Sequence, residues 1–504
     1  MAAEETWDAI VVGGGAAGLA ALGALHRRGL RAVMLEQADA PGGVWRQCDY
    51  PGLALHARSF GYRFHNHPAA GDGRAHATRR EVLDYFGGFI AGEGLAVWIR
   101  CGVRVTRIVS IEDGAAGWRC EVHAQTADGE SRVWRGRFAV CALGFSNAGV
   151  PSLPGFAGVE AFGGTVLHSA DVPATLLPQL QDNRRRVCLL GGGKSAFDIA
   201  GQIVAAGLAG RMTWVYETPL WGLNHNVIYG PAEDYRQQIL RYRQYLFGVR
   251  RFPHAPKIAA LAEEIAGSGL LLNLEPDRRD IWATRGAIYR PEDMQTLRAK
   301  TDRVRGRVAQ LEPGMVRLED GRAVAADMLI CCTGYRRAAN LPVMQRQVAG
   351  QGPDVVDPRE QPLLYRGMID PDLPCVVLFT GELLFAHQLF SFSVAAEWLA
   401  TTVGRGVLDV AAMQAAIVQD DAALNRRVAD GFGYRWAGAA TRGQGFGYWG
   451  GEASMRYWAQ ILTDLRLPAD IGERLYASMF SDPSGFDAAA REIAASLAAA
   501  AGAG

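Results

Sequence analysis

The chain has 504 residues, of which 49% are hydrophobic and 21% are charged. That length suits two or three packed lobes rather than one small domain, and the composition is that of a globular protein with a sizeable core. Lys plus Arg equals Asp plus Glu at 52 each, which argues against nucleic acid or an anionic membrane as the main partner.

Two features bear on the expected location of the chain. The N-terminus lacks a basic segment, glycines interrupt its first apolar stretch, and no run of about 18 apolar residues follows, so we predict neither a signal peptide nor a membrane span. The eight cysteines form no C-x-x-C pair, and Cys331 and Cys332 lie on opposite faces of a predicted strand. This pattern favours a reducing cytoplasm, argues against a dithiol redox enzyme or a zinc ribbon, and leaves no predicted metal ligands.

The first predicted elements form a strand–helix–strand unit. Residues 8–12 are a short apolar run, residues 19–30 have helical apolar spacing, and residues 32–35 are a second apolar run. The loop between the first strand and the helix, residues 13–18, has the pattern G-x-G-x-x-G. A glycine loop in this context is typical of a site for an adenine dinucleotide.

Each glycine of that pattern has a physical task. Gly13 permits a sharp turn, Gly15 lets the backbone approach a pyrophosphate, and Gly18 lets the helix and strand pack closely. The helix N-terminus offers N–H groups and a positive dipole end to the phosphates. Glu36, at the end of the second strand, is expected to accept hydrogen bonds from ribose hydroxyls.

A second strand–helix–strand unit runs from residues 186–190 to residues 212–216. Its loop has the form G-x-G-x-x-A and is built from Gly191, Gly192, Gly193, Lys194, Ser195 and Ala196. Two such loops predict two nucleotides facing each other, one a flavin dinucleotide and the other a hydride donor.

The choice between NADPH and NADH is less clear from the residues. Ala196 in the third small position favours NADPH, whereas Glu217, at the end of the following strand, would repel a 2′-phosphate. Lys194 or Arg211 could supply the positive charge instead. We expect NADPH, with Glu217 facing solvent and Lys194 reaching the phosphate, and NADH stays an alternative.

The rest of the chain has a mixed pattern. Short alternating runs with turn signals predict strands over residues 103–140, and a polar, arginine-rich stretch predicts a helical insertion at about 225–300. Residues 304–308, 315–318 and 323–330 predict a strand meander, and the alanine-rich tail 488–504 predicts a frayed helix.

Two segments have open alternatives. Residues 222–226 either line a substrate tunnel or join a strand to a helix, and the joint is favoured. Residues 431–434 and 445–449 interleave glycine with aromatic residues, which suits a mobile lid or irregular packing equally.

Several motifs give the chain a family resemblance over about residues 8–400. Phe162, Gly164 and His168 match F-x-G-x-x-x-H, the signature of flavin-containing and Baeyer–Villiger monooxygenases, and the chain resembles these class B flavoprotein monooxygenases. Further segments that resemble the family are residues 41–46, 50–53, 332–335 and 364–366, together with Glu382 and His387. The signature continues as Ser-Ala-Asp-Val, typical of neither subgroup, so the reaction subtype stays open.

The predicted fold is α/β, with two doubly wound, Rossmann-like dinucleotide-binding domains, a helical insertion and a helical C-terminal extension. The FAD-binding domain is expected at 1–165 and 331–405, the NAD(P)H-binding domain at 166–330 and the extension at 406–504.

The resemblance and the glycine loops together give the candidate site residues. The candidate catalytic residues are His56, Arg58 and His168. His56 suits a proton relay or a steadying contact to the hydroperoxide, and a surface histidine is equally compatible. Arg58 suits neutralisation of a peroxyflavin anion, but an ordinary salt bridge is favoured. His168 is expected to hold the domain linker and the coenzyme in register, and the alternative is a packed histidine in a turn. The candidate cofactor-binding residues are Gly13, Gly15, Gly18, Glu36, Gly43, Val44, Trp45, Gly191, Gly193, Lys194, Ser195, Thr333, Gly334, Tyr335 and His387.

The resemblance implies FAD, NADPH and a flavin C4a-hydroperoxide as the oxygenating species. The predicted function is a monooxygenase that transfers one oxygen atom from O2 to a small amine, sulfide or ketone. The alternatives are a flavin dehydrogenase or oxidase without oxygen insertion and a redox-inactive nucleotide-binding protein. A homodimer is the candidate assembly.

Overall fold

The structure is a computed structural model. It describes residues 6–69, 76–114, 117–144, 150–218, 221–230, 256–275, 284–336, 342–348, 350–356, 364–379, 388–406, 409–429, 452–468, 470–478 and 482–502.

The strands, in chain order, are β1 Thr6–Val12, β2 Ala32–Leu35, β3 Ile99–Arg100, β4 Val103–Glu112, β5 Trp118–Thr126, β6 Ser131–Cys141, β7 Val150–Pro151, β8 Thr165–His168, β9 Val187–Leu190, β10 Met212–Tyr216, β11 Trp221–Asn224, β12 Leu271–Asn273, β13 Thr284–Tyr289, β14 Asp302–Arg305, β15 Val308–Glu312, β16 Met315–Leu318, β17 Ala323–Ala325, β18 Met328–Cys331, β19 Tyr335–Arg336, β20 Val343–Gln347, β21 Asp354–Val355 and β22 Val376–Leu378.

The α-helices are α1 Ala16–Arg27, α2 Val44–Gln47, α3 Arg79–Gly92, α4 Val159–Phe162, α5 Leu176–Asn183, α6 Lys194–Ala205, α7 His225–Ile228, α8 Pro256–Gly267, α9 Pro291–Lys300, α10 Gln388–Arg405, α11 Val410–Ala429, α12 Glu452–Asp464, α13 Ile471–Ser478 and α14 Pro483–Gly502.

The larger lobe is built on a sheet with the strand order β21-β20-β4-β5-β6-β1-β2-β3, in which β22 also pairs with β6. Strands β1, β2, β3 and β22 run parallel to their neighbours, whereas β4, β5 and β6 form an antiparallel meander. Helix α1 follows β1 and packs against α10, so its face from Ala17 to Leu25 is almost fully buried. This places the first glycine loop at the carboxyl edge of a parallel sheet.

The smaller lobe is built on a parallel sheet with the order β14-β10-β9-β18-β8. Both sheets carry a strand–loop–helix–strand unit, which confirms the predicted fold of two doubly wound units. Cys331 and Cys332 are buried in different hydrophobic clusters, on opposite sides of this sheet, as predicted.

Two predictions for the smaller lobe need correction. The segment 225–300 is not wholly helical, because β12 and β13 pair with β11 in a three-stranded sheet. The meander is β15-β16-β17, whereas Asp302–Arg305 and Met328–Cys331 belong to the parallel sheet. Residues 222–226 join β11 to α7, as favoured from the sequence.

The C-terminal extension is helical where it is described, and it packs on the larger lobe. Phe486 of α14 is fully buried, with its ring centroid 5.6 Å from that of Phe60 and 5.0 Å from that of Phe390. The carboxylate of Asp487 accepts a hydrogen bond of 2.5 Å from Arg63. Within the alanine-rich tail, Ala489, Ile493 and Leu497 are buried, so the last helix contributes to the core, and the fraying of its end stays a prediction.

Candidate functional site

The glycines of the first loop differ in whether the packing of the protein itself requires them. Gly13 has a φ of 103°, and a Cβ there would lie 2.6 Å from the carbonyl oxygen of Ala142. A Cβ on Gly18 would overlap the carbonyl oxygen of Gly13. Among the atoms of the described residues, a Cβ on Gly15 would meet a single neighbour, the Cα of Gly43, at an ordinary distance of 3.6 Å. The space beside Gly15 thus fits a ligand that approaches the backbone closely.

Glu36 organises the same loop. Its side chain is buried at the carboxyl end of β2, where Oε2 accepts a 2.5 Å hydrogen bond from the N–H of Gly14 and Oε1 accepts one of 2.7 Å from the N–H of Ala38. The two backbone donors fix the orientation of the carboxylate beside the loop. This is the position at which the fold recognises a ribose.

The segment around Trp45 is docked onto this loop. The N–H of Gly42 donates a 2.9 Å hydrogen bond to the carbonyl oxygen of Gly14, and a Cβ on Gly43 would lie 3.0 Å from the Cα of Gly15. The indole N–H of Trp45 donates to the hydroxyl of Tyr62 at 2.7 Å. The structure therefore brings Gly43, which precedes Val44 and Trp45, next to Gly15.

The second glycine loop has the same division of tasks. Gly191 has a φ of 119°, and a Cβ there would overlap the carbonyl oxygen of Cys332. A Cβ on Gly193 would meet no described atom within 4 Å. Ala196, in the third small position, is fully buried without a clash. Helix α6 begins after Gly193 with no side-chain cap, so its first N–H groups are available to an anion.

The structure gives Lys194 a partner that the sequence analysis missed. Its ammonium group forms an ion pair with the carboxylate of Asp198, one turn further along α6. Burial raises the pKa of Asp198 to about 6, while Lys194 opposes that shift. The hydroxyl of Tyr50, from the larger lobe, lies 3.5 Å from Asp198 and 3.5 Å from the hydroxyl of Ser195. Lys194 is therefore directed at a buried carboxylate, which weakens its predicted role at a 2′-phosphate.

His168 fastens the connection between the two lobes. Its Nδ1 accepts a hydrogen bond from the N–H of Ala170 at 3.1 Å, which leaves Nε2 to donate to the carbonyl oxygen of Gly334 at 2.8 Å. Burial lowers the pKa of His168, so the ring is neutral. These contacts support a positioning role for His168 rather than a direct chemical one.

The linker residues named from the sequence are held in the same place. The hydroxyl of Thr333 donates to the carbonyl oxygen of Ser152 at 2.5 Å, and β19 pairs with β7, so the two crossings between the lobes lie side by side. The hydroxyl of Tyr335 lies 3.2 Å from the sulfur of Cys48, in the larger lobe.

His56 and Arg58 lie on the loop that follows Leu55. His56 is half-buried. The N–H of Arg58 donates a 2.7 Å hydrogen bond to the hydroxyl of Tyr229, and its guanidinium lies 4.3 Å from the centre of the Tyr229 ring. Both contacts join Arg58 to an aromatic residue of the other lobe, and the salt bridge favoured from the sequence stays a prediction.

The same junction contains residues that the sequence analysis did not single out. The ring of His76 lies 5.4 Å from that of His225, and the ring of His225 lies 4.7 Å from that of Tyr229. Burial lowers the pKa of His76 to about 4, with His225 and nearby arginines acting in the same direction. No local motif signals this cluster, because its members come from three separate segments.

Some predicted features cannot be located. Glu382, His387 and the glycine–aromatic segments 431–434 and 445–449 lie outside the described residues. Among the residues that the structure describes, no helix is long and apolar enough to cross a bilayer, and no cluster of three potential metal ligands is found.

We expect that replacing His168 with leucine weakens the junction of the lobes. The substitution removes the Nε2–H donor to Gly334 and the acceptor for Ala170, which together should lower the free energy of unfolding by about 1–2 kcal/mol. The carbonyl of Gly334 also accepts from the N–H of Ser152, which limits the loss. Urea unfolding measures it.

His168→Gln is the matched control for this prediction. Its amide N–H2 can still donate to the Gly334 carbonyl, so it should recover part of the lost stability. Equal stability of the leucine variant and the wild type would contradict a hydrogen-bonding role and indicate simple packing.

Comparison with known proteins gives one family match and several relatives. Residues 8–216 match the family model FMO-like, described as flavin-binding monooxygenase-like. The "FAD-binding monooxygenase ktnD" of Aspergillus niger is 26% identical over 400 residues, which cover 72% of this chain and 63% of that protein. The "Probable flavin-containing monooxygenase 1" of Arabidopsis thaliana is 26% identical over 457 residues, which cover 78% of this chain and 81% of that protein.

A solved structure extends the similarity to the fold of most of the chain. The open crystal structure of cyclohexanone monooxygenase matches this chain with a TM-score of 0.60 and 18% sequence identity. The match covers 87% of this chain and 96% of the chain in that structure.

Proposed function

We propose that this chain, which belongs to the class B flavoprotein monooxygenases, is an FAD-dependent, NADPH-consuming enzyme that inserts one oxygen atom from O2 into a small organic substrate. The substrate is an amine, a sulfide or a ketone, so the reaction is N- or S-oxygenation or Baeyer–Villiger oxidation. When bound and reduced, FAD activates O2 for the transfer of a single oxygen atom. The predicted homodimer, cytoplasmic location and domain boundaries stay predictions.

The proposal of two nucleotide sites rests on one observation, the free space beside two glycines. Gly15 and Gly193 occupy equivalent positions of the two loops, and neither is required by the surrounding protein. Gly13 and Gly191, by contrast, have positive φ and abut backbone carbonyls. Glycine at positions 15 and 193 is explained by close approach of a ligand to the backbone, which fits one pyrophosphate on each loop.

The residues around the loops give each nucleotide a function. Glu36 fits the ribose of the FAD adenosine, and Gly43, Val44 and Trp45 cover the loop from the side of Gly15. Ser195 and the first N–H groups of α6 fit the pyrophosphate of NADPH. Thr333, Gly334 and Tyr335, held by Ser152, His168 and Cys48, keep the two lobes in register.

The contacts between the lobes support a site that excludes water. Arg58 reaches across to Tyr229, and His76 faces His225, so the loop after Leu55 is covered by the smaller lobe. A wet site would release hydrogen peroxide instead of transferring oxygen, so such cover favours oxygen insertion.

Oxygen incorporation tests the proposal. The enzyme is supplied with FAD, NADPH and ¹⁸O2, and a panel of amines, sulfides and ketones is analysed by mass spectrometry. We expect products with one ¹⁸O atom, formed only when NADPH is present. NADPH oxidation with full release of peroxide across the panel would support the oxidase alternative, and a protein that binds no flavin would support the redox-inactive one.

A further inference from the structure

Three segments of the smaller lobe meet at the carboxyl end of β10. A Cβ on Gly192, in the second glycine loop, would lie 2.8 Å from the carbonyl oxygen of Thr218, directly after β10. Strand β14 is the neighbour of β10 in the sheet, and its end is tied to β10 by the N–H of Gly306, which donates to the carbonyl oxygen of Tyr216 at 3.0 Å. If the second loop holds the coenzyme, as proposed above, the adenosine ribose reaches this strand end.

The charged residues at this strand end come from two strands. The guanidinium of Arg307 donates a 2.6 Å hydrogen bond to the carboxylate of Glu217, and Nε of Arg305 donates to the Glu217 carbonyl oxygen at 2.9 Å. Glu319 also acts electrostatically on Arg307, while the nearby Arg322 is paired with Asp320. The carboxylate of Glu217 therefore pairs with Arg307 and does not face solvent alone, while Arg305 binds the backbone carbonyl of the same residue.

The solvent exposure of each ion pair indicates which basic residue is available to bind a phosphate. The side chains of Arg307 and Glu217 are 61% and 59% exposed, so their ion pair is screened by water and costs little to exchange. The carboxylate partner of Lys194 is only 11% exposed, and removing its lysine would leave a buried charge without its ion pair. Arg307 is thus the more available cation.

We infer that Arg305 and Arg307 form the 2′-phosphate site of the coenzyme, and that the Glu217 carboxylate occupies the phosphate position until NADPH binds. The 2′-phosphate then replaces the Glu217 carboxylate as the partner of Arg307. The phosphate is a dianion, and arginine binds it with two parallel hydrogen bonds. Glu217 lowers the affinity for NADPH by competing for Arg307 and repelling the phosphate. This inference rests on the proposed function, because it assigns the nucleotide to the second loop.

Binding of two nucleotide fragments to the flavin-loaded enzyme tests this site without turnover. Isothermal titration calorimetry compares 2′,5′-ADP, which carries the 2′-phosphate, with 5′-AMP, which lacks it. We expect the wild type to prefer 2′,5′-ADP, and Arg307→Ala or Arg305→Ala to weaken its binding about tenfold while 5′-AMP binding stays unchanged. Glu217→Gln keeps the shape, removes the charge, and should strengthen 2′,5′-ADP binding about threefold or more.

Two controls separate this site from general effects of charge. Arg132 forms a similarly exposed ion pair with Glu130 in the larger lobe, so Arg132→Ala should change neither affinity. Lys194→Ala should alter the binding of both fragments by the same factor. If the alanine variants at 305 and 307 keep the wild-type preference for 2′,5′-ADP, or if Lys194→Ala alone abolishes it, the inference is wrong.

The design also separates this inference from the proposed function. A wild-type enzyme that binds both fragments equally well has a nucleotide site but no 2′-phosphate site, which overturns the inference alone. A flavin-loaded enzyme that binds neither fragment contradicts the assignment of a coenzyme to the second loop, and both proposals fail together.

Discussion

Gly15→Val should abolish flavin retention while leaving the protein folded. The backbone at Gly15 has a φ of −78° and a ψ of −173°, which valine adopts without strain. Within the described part of the chain, its Cβ would meet only the Cα of Gly43, at 3.6 Å. The branched side chain would, however, fill the space that a pyrophosphate needs. Losing hydrogen bonds from the loop to a charged pyrophosphate costs about 3 kcal/mol. That loss corresponds to an affinity lower by ~100-fold.

The measurement is the flavin content of the purified variant, taken with its unfolding transition. Gly155→Val is the matched control, because Gly155 is also a non-helical glycine whose Cβ would meet no atom of the described residues within 4 Å and whose φ is not positive. It should keep its flavin. Gly18→Ala should instead lose both flavin and stability, since its Cβ overlaps the carbonyl of Gly13. Full flavin occupancy in Gly15→Val would refute the assignment of the first loop.

The two nucleotide-binding units could be predicted because local sequence signals specify their strands, turns and helices. Short apolar runs followed by glycine specify a buried parallel strand and a tight turn, and Glu36 lies at the end of such a run. These signals lie within about 30 residues of each other, so no tertiary information was needed. The same is true of Cys331 and Cys332, whose alternation follows from strand geometry.

The insertion was harder, because its strands are stabilised by distant partners. Leu271 pairs with Leu223 across 48 positions, and the short apolar run of β12 gives no periodic signal of its own in a polar segment. The predicted first strand of the meander, residues 304–308, overlaps the end of β14, Asp302–Arg305, for a similar reason. Only its register with β10, Thr213 against Asp302, makes it the edge of the parallel sheet.

Ion-pair partners illustrate the same limit at the candidate site. The pairing of Lys194 with Asp198 was within reach, since the two residues are four positions apart on a predicted helix. Tyr50 and Arg307 were not, because they come from other segments and meet α6 and β10 only in the folded chain. A sequence therefore locates a nucleotide loop well, but not the side chains that tune it.

Gly193→Val should separate delivery of hydride from retention of flavin. Gly193 has a φ of −97° and a ψ of 179°, an extended conformation open to valine, and its Cβ would meet no described atom within 4 Å. The variant should fold and keep its flavin, because the first loop is unchanged. A side chain between the loop and the coenzyme displaces the nicotinamide, so flavin reduction by NADPH should slow on the order of a hundredfold.

Anaerobic stopped-flow spectroscopy measures this rate through the loss of visible flavin absorbance. Dithionite, which needs no nucleotide site, should reduce the flavin of Gly193→Val and of the wild type at the same rate. Gly201→Ala is the matched control on the same helix, because its Cβ would meet nothing within 4 Å and it lies beyond the first turn of α6. Its reduction by NADPH should be unchanged. If Gly193→Val were reduced by NADPH as fast as the wild type, the hydride donor would have to bind elsewhere, since a valine at the tip of the loop cannot share that space with a pyrophosphate.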